Sequence, residues 1–420
     1  MVEIADIKDR GSLEEWLNTF SDDEEVRRKA AVDIAVRAAL RVMPVAWQWF
    51  SSDVAKKEGL TALPLLRSSL LTMFSTEKPT VGRQSIFTKA SLGLSVASTM
   101  AATASIDRNV KKEETGAKSS VEACLVLAKT MSAISDNSIR ASAEAAFIYA
   151  KATVSYSMFF ASDPWSEILT DCVEATKNRK LQGKALWSHG NPVDILWGDI
   201  KSTHSPTSYD FVNYSERTFG PVPSGPWSFW VDWYEKVLTG APQDWDLLQA
   251  IVDQVDWDGA PEEVNRQIQQ IERDHLRDTV RRLKEETSNV LAIEDELPSR
   301  GHNNPPEMIK DDADAKAAIT FIWADLDDAE KELEKDEPDP SALKRLGDAL
   351  KTSSWKVLKY LGEKADLAVD GVVKEGAKSS TKWLIRALGA SYIAQLEAIQ
   401  SAGRALLEFA QRLFQAGGMM

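Results

Sequence analysis

EVRRKAAVDIAVRAALRVM, residues 25–43, is the clearest helical pattern in this chain. Its apolar residues recur every three or four positions, which places them on one face of an α-helix. They are Ala31, Ile34, Ala35, Ala38 and Val42. Ser21 and Glu24 have the spacing of a capping box before this pattern, and Pro44 is predicted to end the helix. The stretch therefore predicts an amphipathic helix that packs through small side chains.

Helical spacing recurs along the rest of the chain. Ser12 and Glu15 form a second predicted capping box, ahead of LEEWLNTF. Helices rich in alanine and serine are predicted at about 84–106, 119–135 and 138–161. The segment PWSFWVDWYEKVLTG predicts a helix that ends at Gly240, and DWDLLQAIVDQV predicts the next one. Helices therefore account for most of the elements that the sequence predicts.

A long helix is predicted from Pro261 to about Leu291, with its apolar residues on one stripe. No segment alternates apolar and polar residues in the way that a half-buried strand does. The predicted fold class is therefore all-α: a multi-helix bundle with a long helix and a separate helical C-terminal module.

Composition shifts suggest four segments. An Ala/Ser-rich helical bundle is predicted at 1–182, a Trp-rich loop and helical region packed on it at 183–297, a linker at 298–306, and a C-terminal module at 307–420. Within this module, residues 307–340 carry a net charge of −9 and residues 341–420 a net charge of +5. We therefore expect an acidic helix to dock antiparallel against the basic helical tail across the turn DEPDPS.

The linker contains SRGHNNPPE, residues 299–307. Asn304 is suited to cap the acidic helix, and Pro305 is suited to its first helical position. Gly301 and His302 lie in the turn-prone segment before them. We interpret Gly301, His302, Asn304 and Pro305 as a hinge; a peptide-recognition motif and a catalytic loop are the alternatives.

Five segments resemble a group of uncharacterised alphaproteobacterial proteins. They are IAVRAALRVMP, LWSHGNPVDILWGDIK, WSFWVDWYEKVLTGAP, GAPEEVNRQI and RGHNNPPE. That group combines an Ala-rich helical N-terminal half, a Trp-rich middle region and a Gly-His-Asn-Asn-Pro-Pro linker. The similarity covers 1–45 and 185–310 best, and the Ala-rich segment is less repetitive in this chain. The resemblance implies a bacterial origin and assigns no activity or catalytic residue.

Charge and cysteine usage limit the functional classes. The net charge of −14 opposes binding to the phosphates of nucleic acid. Cys124 and Cys172 lie in apolar helical surroundings, so we interpret them as reduced core thiols, with a disulfide as the alternative. No secretory signal opens the chain, and the uncharged stretch 90–106 is too polar and short for a membrane span. A cytoplasmic location is therefore predicted.

The sequence contains no phosphate-binding loop, nucleophile elbow or zinc-spaced set of ligands. Glu272 and His275 have the Glu-x-x-His spacing of di-iron bundles, but the chain has no second such pair. His189 and His204 fall in predicted loops, where turn positions explain them equally well. The sequence therefore assigns no catalytic, cofactor-binding or metal-binding residue, and no cofactor.

Two surfaces are candidates for binding a partner. Trp227, Trp230 and Tyr234 share one helix face, as core anchors or as an exposed binding patch. The C-terminal helix offers a second set of candidates: Trp383, Leu388, Leu396 and Leu407. Because this helix also has a basic polar face, its apolar stripe is suited to intramolecular packing, to partner binding or self-association, or to a membrane surface.

The sequence thus predicts a non-enzymatic helical scaffold or adaptor that binds a protein partner, or a second copy, through these residues. The alternative is a membrane-interacting effector whose basic C-terminal helix is restrained by the acidic helix. An enzyme with a site that the sequence does not reveal is the third hypothesis.

Overall fold

The fold is seen in a computed structural model that describes residues 2–50, 61–77, 111–136, 138–155, 164–177, 184–186, 227–295, 306–369 and 380–417, together with Ala55, Lys57 and Leu181. After a 3-10 turn at Ile4–Asp6, twelve α-helices follow in these residues. They are α1 (Arg10–Thr19), α2 (Glu24–Phe50), α3 (Leu63–Glu77), α4 (Lys111–Asp136), α5 (Ile139–Ser155), α6 (Pro164–Thr176), α7 (Ser228–Thr239), α8 (Trp245–Gln254), α9 (Pro261–Asp295), α10 (Pro306–Leu333), α11 (Pro340–Val369) and α12 (Ser380–Gly417). No strand occurs in the described ranges, and the predicted all-α class is confirmed.

The chain divides into two compact units, Met1–Asn265 and Arg266–Met420. The division falls inside the long helix α9, so the first turn of α9 belongs to the first unit and the remainder to the second. The predicted segment 183–297 instead places the whole of this helix in the Trp-rich region. The predicted linker at 298–306 lies almost wholly outside the described residues, and the four predicted segments stay a prediction.

Helix α2 occupies the centre of the first unit, where it contacts α1, α3, α4, α5 and α6. Between Ala30 and Met43 its residues are buried, except for Val32 and Arg37, which are half-buried. Alanines make up much of this segment, and their small side chains allow neighbouring helix backbones to approach closely. The sequence predicts one buried stripe, whereas the structure covers α2 on nearly all sides.

Both predicted capping boxes are replaced by caps from aspartates. In α1 the N-cap is Asp9, whose Oδ1 accepts from the backbone N–H of Ser12 at 2.9 Å, while the Ser12 hydroxyl accepts from Asp9 N–H at 3.1 Å. Before α2, Asp23 Oδ1 accepts from Glu25 N–H at 2.8 Å. A carboxylate satisfies the free N–H groups and also favours the positive end of the helix dipole. Ser12 is therefore the third helical residue and not the cap.

Helix α2 continues through Pro44 to Phe50, so the predicted helix end at Pro44 is wrong. Proline has no N–H, and in a helix interior it leaves the carbonyl four residues earlier without its usual donor. That carbonyl belongs to Leu40, and the buried Tyr234 hydroxyl of α7 donates to it at 2.9 Å. A hydrogen bond from a residue distant in sequence thus replaces the one that the proline removes.

Tyr234→Phe is expected to lower the free energy of unfolding by about 1–3 kcal/mol, because the buried Leu40 carbonyl then loses this donor. In a Pro44→Ala background the loss is expected to be smaller, because alanine restores a backbone N–H. Urea unfolding of both single variants and the double variant measures the coupling. Equal losses in the two backgrounds would contradict the compensation.

The second unit packs the rest of α9 with α10, α11 and α12 around one apolar core. Each helix contributes fully or nearly fully buried side chains: Leu276, Val280 and Leu283 from α9; Ile322 and Leu326 from α10; Leu343 and Leu350 from α11; Leu396, Ile399 and Leu406 from α12. Most of α9 belongs to the second unit because its apolar side chains are buried in this core. A fragment that ends at Leu297 would expose this stripe to water.

Helices α10 and α11 contact each other across the short connection at 334–339, as expected for two helices joined by so few residues. The acidic residues of α10 nevertheless find cations on α9. Arg281 Nε lies 2.8 Å from Glu330 Oε1, and Lys284 contacts both Glu330 and Asp327. Partial burial acts to raise the pKa of Glu330, but the hydrogen bonds from Lys284 and Arg281 lower it below its ordinary value.

Helices α11 and α12 make their closest approach at a pair of glycines. A Cβ at Gly347 would lie 2.7 Å from the carbonyl oxygen of Gly403 and 2.9 Å from Leu407 Cγ. A Cβ at Gly403 would lie 2.9 Å from the carbonyl oxygen of Gly347. All three distances are shorter than van der Waals contact, so the absence of side chains at both glycines sets the separation of the two helices.

Gly347→Ala is expected to destabilise the protein by about 1–3 kcal/mol, although alanine favours a helix over glycine by about 1 kcal/mol, because the added methyl forces α11 and α12 apart. Thermal unfolding followed by circular dichroism measures the change. Gly11→Ala is the matched control, because its Cβ would meet Asp9 Oδ1 at an ordinary 3.4 Å. An equal or higher melting temperature for Gly347→Ala would contradict the close crossing.

Candidate functional site

Three charged residues interrupt the apolar surface of α2: Asp33, Arg37 and Arg41. Their spacing of four residues places them along one side of the helix. Because α2 is covered on nearly all sides, these charges face other protein groups and not bulk water. Buried charged groups are common at functional sites and also in structural ion-pair networks, and the groups that pair with them distinguish the two roles.

Arg41 is enclosed, with 1% of its side chain exposed. Its Nη1 and Nη2 donate to the two oxygens of Asp171 on α6 at 2.7 and 3.1 Å. Nε and Nη2 also donate to the backbone carbonyl of Leu186 at 3.1 and 2.9 Å. The guanidinium carbon lies 5.9 Å from the centre of the Tyr149 ring, and Nη2 lies 3.6 Å from Glu167 Oε2.

Arg37 shares the same carboxylate. Its Nε donates to Asp171 Oδ1 at 2.8 Å, and its Nη2 donates to the carbonyls of Ala185 and Leu186 at 2.9 and 3.0 Å. Two arginines of α2 therefore join α6 to the segment 184–186. The carboxylates of Asp171 and Glu167 balance the charges of these two arginines.

The pKa directions of the two arginines agree with a structural role. Burial lowers the pKa of Arg37, because the charged form loses its hydration. Burial also acts to lower the pKa of Arg41, but Asp171 more than offsets it, and the pKa is raised. Both groups stay protonated at neutral pH, and Asp171 accepts hydrogen bonds from each. The cluster is thus suited to hold α2, α6 and the segment 184–186 together.

A small cavity lies beside this cluster, in the first unit. Asp33, Arg37, Lys184, Lys236 and Trp245 contribute to its lining, and its volume is about 50 Å³. A volume of this size holds a few water molecules. The cavity is therefore too small to admit an organic substrate without movement of its walls.

Asp171→Asn is expected to lower the free energy of unfolding by about 3 kcal/mol or more, because it leaves the buried Arg41 and the half-buried Arg37 with a neutral partner. Urea unfolding measures the loss, with Asp22→Asn as the control because Asp22 is exposed. A loss no larger than that of the control would contradict the structural role of the cluster.

The tryptophan candidates lie mostly inside the first unit. Trp230 is 0% exposed and Tyr234 is 2% exposed, whereas Trp227 is half-buried. The Trp230 ring lies 5.9 Å from the rings of both Trp233 and Trp257, measured between centroids. Trp230 and Tyr234 are core anchors of α7, and neither has surface to offer to a partner.

The C-terminal candidates divide into those that pack internally and those whose surroundings are not described. Leu396 is buried in the core of the second unit, and Leu407 is half-buried beside Gly347. Trp383 and Leu388 belong to α12, but their side chains lie outside the described residues. The hinge candidates lie outside them as well: Gly301, His302, Asn304 and Pro305. A substitution at Leu396 would therefore disturb folding before it tested binding.

Glu272, the carboxylate of the Glu272–His275 pair, is already bound to an arginine. Glu272 Oε1 accepts from Arg412 Nη2 at 2.7 Å, and both residues are buried. This ion pair joins α9 to α12 and neutralises the carboxylate that a metal would require. Across the described ranges, no group of three or more His, Cys, Asp or Glu residues has an arrangement that could hold a metal ion.

Both cysteines are buried free thiols, as the core-thiol interpretation predicts. Burial raises the pKa of Cys124 to about 12. Burial and the neighbouring Asp171 carboxylate also raise the pKa of Cys172 above its ordinary value. The reactive thiolate form is therefore disfavoured at both positions near neutral pH.

The second unit exposes large aromatic side chains on three different helices. Phe321 of α10 is 65% exposed, Trp355 of α11 is 62% exposed and Phe414 of α12 is 49% exposed. In the described part of the first unit, the large apolar side chains exposed to a comparable degree are aliphatic: Leu125 and Val173. None of these three aromatic residues is among the candidates predicted from the sequence, because they lie outside the apolar stripes that helical spacing reveals.

Within the part of the chain that the structure describes, no helix has the length and apolar character to cross a bilayer. Comparison with protein-family models, with curated proteins and with solved structures yields no match to this chain. The resemblance to alphaproteobacterial proteins therefore stays a prediction.

Proposed function

We propose that this chain is a non-enzymatic interaction protein, a scaffold or adaptor, which binds a protein partner through the surface of its C-terminal unit. The observation that carries the proposal is the exposure of Phe321, Trp355 and Phe414. Transfer of a large aromatic side chain from water into an interface is favourable, and such side chains contribute much of the binding free energy of protein interfaces. Their presence on three helices of one unit supports a binding role for that unit.

The buried charged groups of the described residues also support a non-enzymatic role, because they are paired with one another. Asp171 accepts hydrogen bonds from both Arg37 and Arg41 inside the first unit, and Glu272 is paired with Arg412 in the second. The adjoining cavity has room for only a few water molecules. These groups stabilise the fold, and an interaction role does not require any of them to react.

The membrane-effector alternative receives less support. It requires α12 to release an apolar stripe, yet Leu396, Ile399 and Leu406 are buried in the core of the second unit. It also requires the acidic helix to restrain the basic tail, whereas Glu330 of α10 pairs with Arg281 and Lys284 of α9. Release of α12 would thus expose the core of the whole unit.

The test compares the native complexes formed by full-length variants in a lysate of the source cells. The combined change Phe321→Ser, Trp355→Ser and Phe414→Ser is expected to reduce the size of the complex to that of the free chain, because it removes the exposed aromatic contacts. Velocity sedimentation measures the size, and circular dichroism checks that each variant remains folded.

Leu125→Ser combined with Val173→Ser is the matched control, because it removes exposed aliphatic side chains from the first unit. This control is expected to sediment with the wild-type complex. The proposal is contradicted if the aromatic variant sediments like the wild type, or if the wild-type chain sediments alone.

A further inference from the structure

Helix α11 has a buried apolar face and an exposed face of a different composition. Its buried residues include Leu343, Leu346, Leu350 and Val357, all in the core of the second unit. Between Pro340 and Lys359, the part of α11 whose burial is described, the exposed face carries five cations: Lys344, Arg345, Lys351, Lys356 and Lys359. Trp355 lies among them, and Asp348 is the one acidic residue on the same exposed face. We call this surface of α11, from Lys344 to Lys359, the basic ridge.

The geometry of an α-helix places these side chains close together. At about 100° per residue, the cations and Trp355 fall within an arc of about 140°. The rise of about 1.5 Å per residue makes the basic ridge about 22 Å long. Lys351 and Lys359 each lie one turn from Trp355, so the indole is flanked by cations along the helix.

The cations of the basic ridge differ from those of α9. Arg281 and Lys284 of α9 are paired with carboxylates of α10. In contrast, Lys344, Arg345, Lys351 and Lys356 form no ion pair with any residue in the described ranges. The chain has 64 acidic and 50 basic residues, so a row of cations without carboxylate partners is contrary to its overall composition.

The contact between α11 and α12 fixes the base of one side chain of the basic ridge. The Cγ of Lys351 lies 3.1 Å from the position that a Cβ of Gly403 would occupy. The aliphatic part of Lys351 therefore passes over the glycine contact between α11 and α12, and its ammonium group extends into solvent. A rigid base reduces the conformational freedom that a binding surface loses when it engages its ligand.

We propose that the basic ridge binds an acidic segment of a partner protein, with an apolar residue of that segment packed on Trp355. This inference rests on the proposed interaction function and names the chemistry of the partner. Carboxylates spaced along the segment complement the cations, and Trp355, one turn before the C-terminal end of the ridge, supplies the apolar contact. An extended segment of about seven residues covers the length of the ridge.

A bilayer is a poorer match than a protein segment. An interfacial helix inserts its apolar face into lipid, but α11 buries that face in its own unit. An anionic bilayer also presents its charge over a large area, so the net charge of −14 on the chain repels it. A short acidic segment meets the ridge alone, because charges farther away than about 8 Å are screened at physiological salt. The phosphates of nucleic acid meet the same repulsion as the bilayer.

The test measures binding of a fluorescein-labelled peptide of about eight residues, long enough when extended to cover the ridge. The peptide consists of glutamates with one leucine third from its end, and fluorescence anisotropy reports its binding to the full-length protein. Lys351→Glu combined with Lys356→Glu is expected to weaken binding at least about tenfold, because two attractive contacts become repulsive. Trp355→Ser is expected to weaken binding about threefold or more, through loss of the apolar contact.

Lys8→Glu combined with Arg140→Glu is the matched control, because it changes the net charge equally at exposed positions of the first unit. It is expected to bind the peptide within about twofold of the wild type, and binding is expected to weaken as salt rises. Equal losses in the two charge-reversed proteins, or no binding of the peptide at low salt, would overturn the proposal.

Two further probes separate the other ligand classes. Vesicles of phosphatidylcholine with phosphatidylserine, or a labelled single-stranded DNA, would overturn the proposal if either bound the ridge while the peptide did not. The outcome is independent of the native-complex test. If the peptide fails but the native complex still requires the three exposed aromatic residues, the partner chemistry is wrong and the interaction function remains. If the native complex does not require the aromatic residues, the interaction function itself fails.

Discussion

The buried guanidinium of Arg41 imposes the strongest constraint on the first unit. A charge without access to water is tolerated only when it is paired and its N–H groups are satisfied. Asp171 supplies the charge and the carbonyl of Leu186 supplies further acceptors, so α2, α6 and the segment 184–186 must lie together. Arg37 repeats the arrangement one turn earlier on α2. The central helix is thus held by polar contacts as well as by its small apolar residues.

The same principle explains Pro44. The proline removes one hydrogen bond from a buried stretch of backbone, and an unsatisfied buried carbonyl is costly. Tyr234 compensates from α7, almost 200 residues later in the sequence. The Trp-rich region is therefore joined to the N-terminal helices by a specific hydrogen bond in addition to apolar packing. This contact gives Tyr234 a structural role that its position on an aromatic helix face did not reveal.

The two units differ in the exposure of their aromatic groups. The first unit buries Arg41 with Asp171 and Glu167, and it also buries Trp16, Trp230 and Trp233. The second unit exposes Phe321, Trp355 and Phe414, and presents a row of cations on α11. Chemistry that resembles an active site is used to stabilise the fold, whereas the groups suited to recognition face solvent. This contrast is the basis for an interaction role and for the acidic character of the proposed partner.

Local patterns predicted the helices well, because helix formation depends on spacing over a few turns and on nearby caps. The end of α7 at Gly240 illustrates this success: glycine adopts a positive φ of 70° there at little cost. The capping boxes were misassigned because Asp9 and Asp23 lie within two or three residues of equally plausible serines. The candidate residues were harder to judge, because one apolar stripe serves equally for a core and for a binding face. Leu396 and Trp230 proved to be core residues only once their neighbours were known.

By itself, the sequence determined the all-α class, the long helix α9 and the acidic and basic character of the C-terminal helices, since each follows from residues close together in the chain. Only the tertiary structure decided which carboxylates meet which cations, which carbonyl Tyr234 satisfies, and where the chain divides into units. It also decided that α10 pairs its charge with α9, which leaves the cations of α11 exposed. These outcomes depend on distances between residues far apart in sequence, and helical periodicity carries no information about such distances.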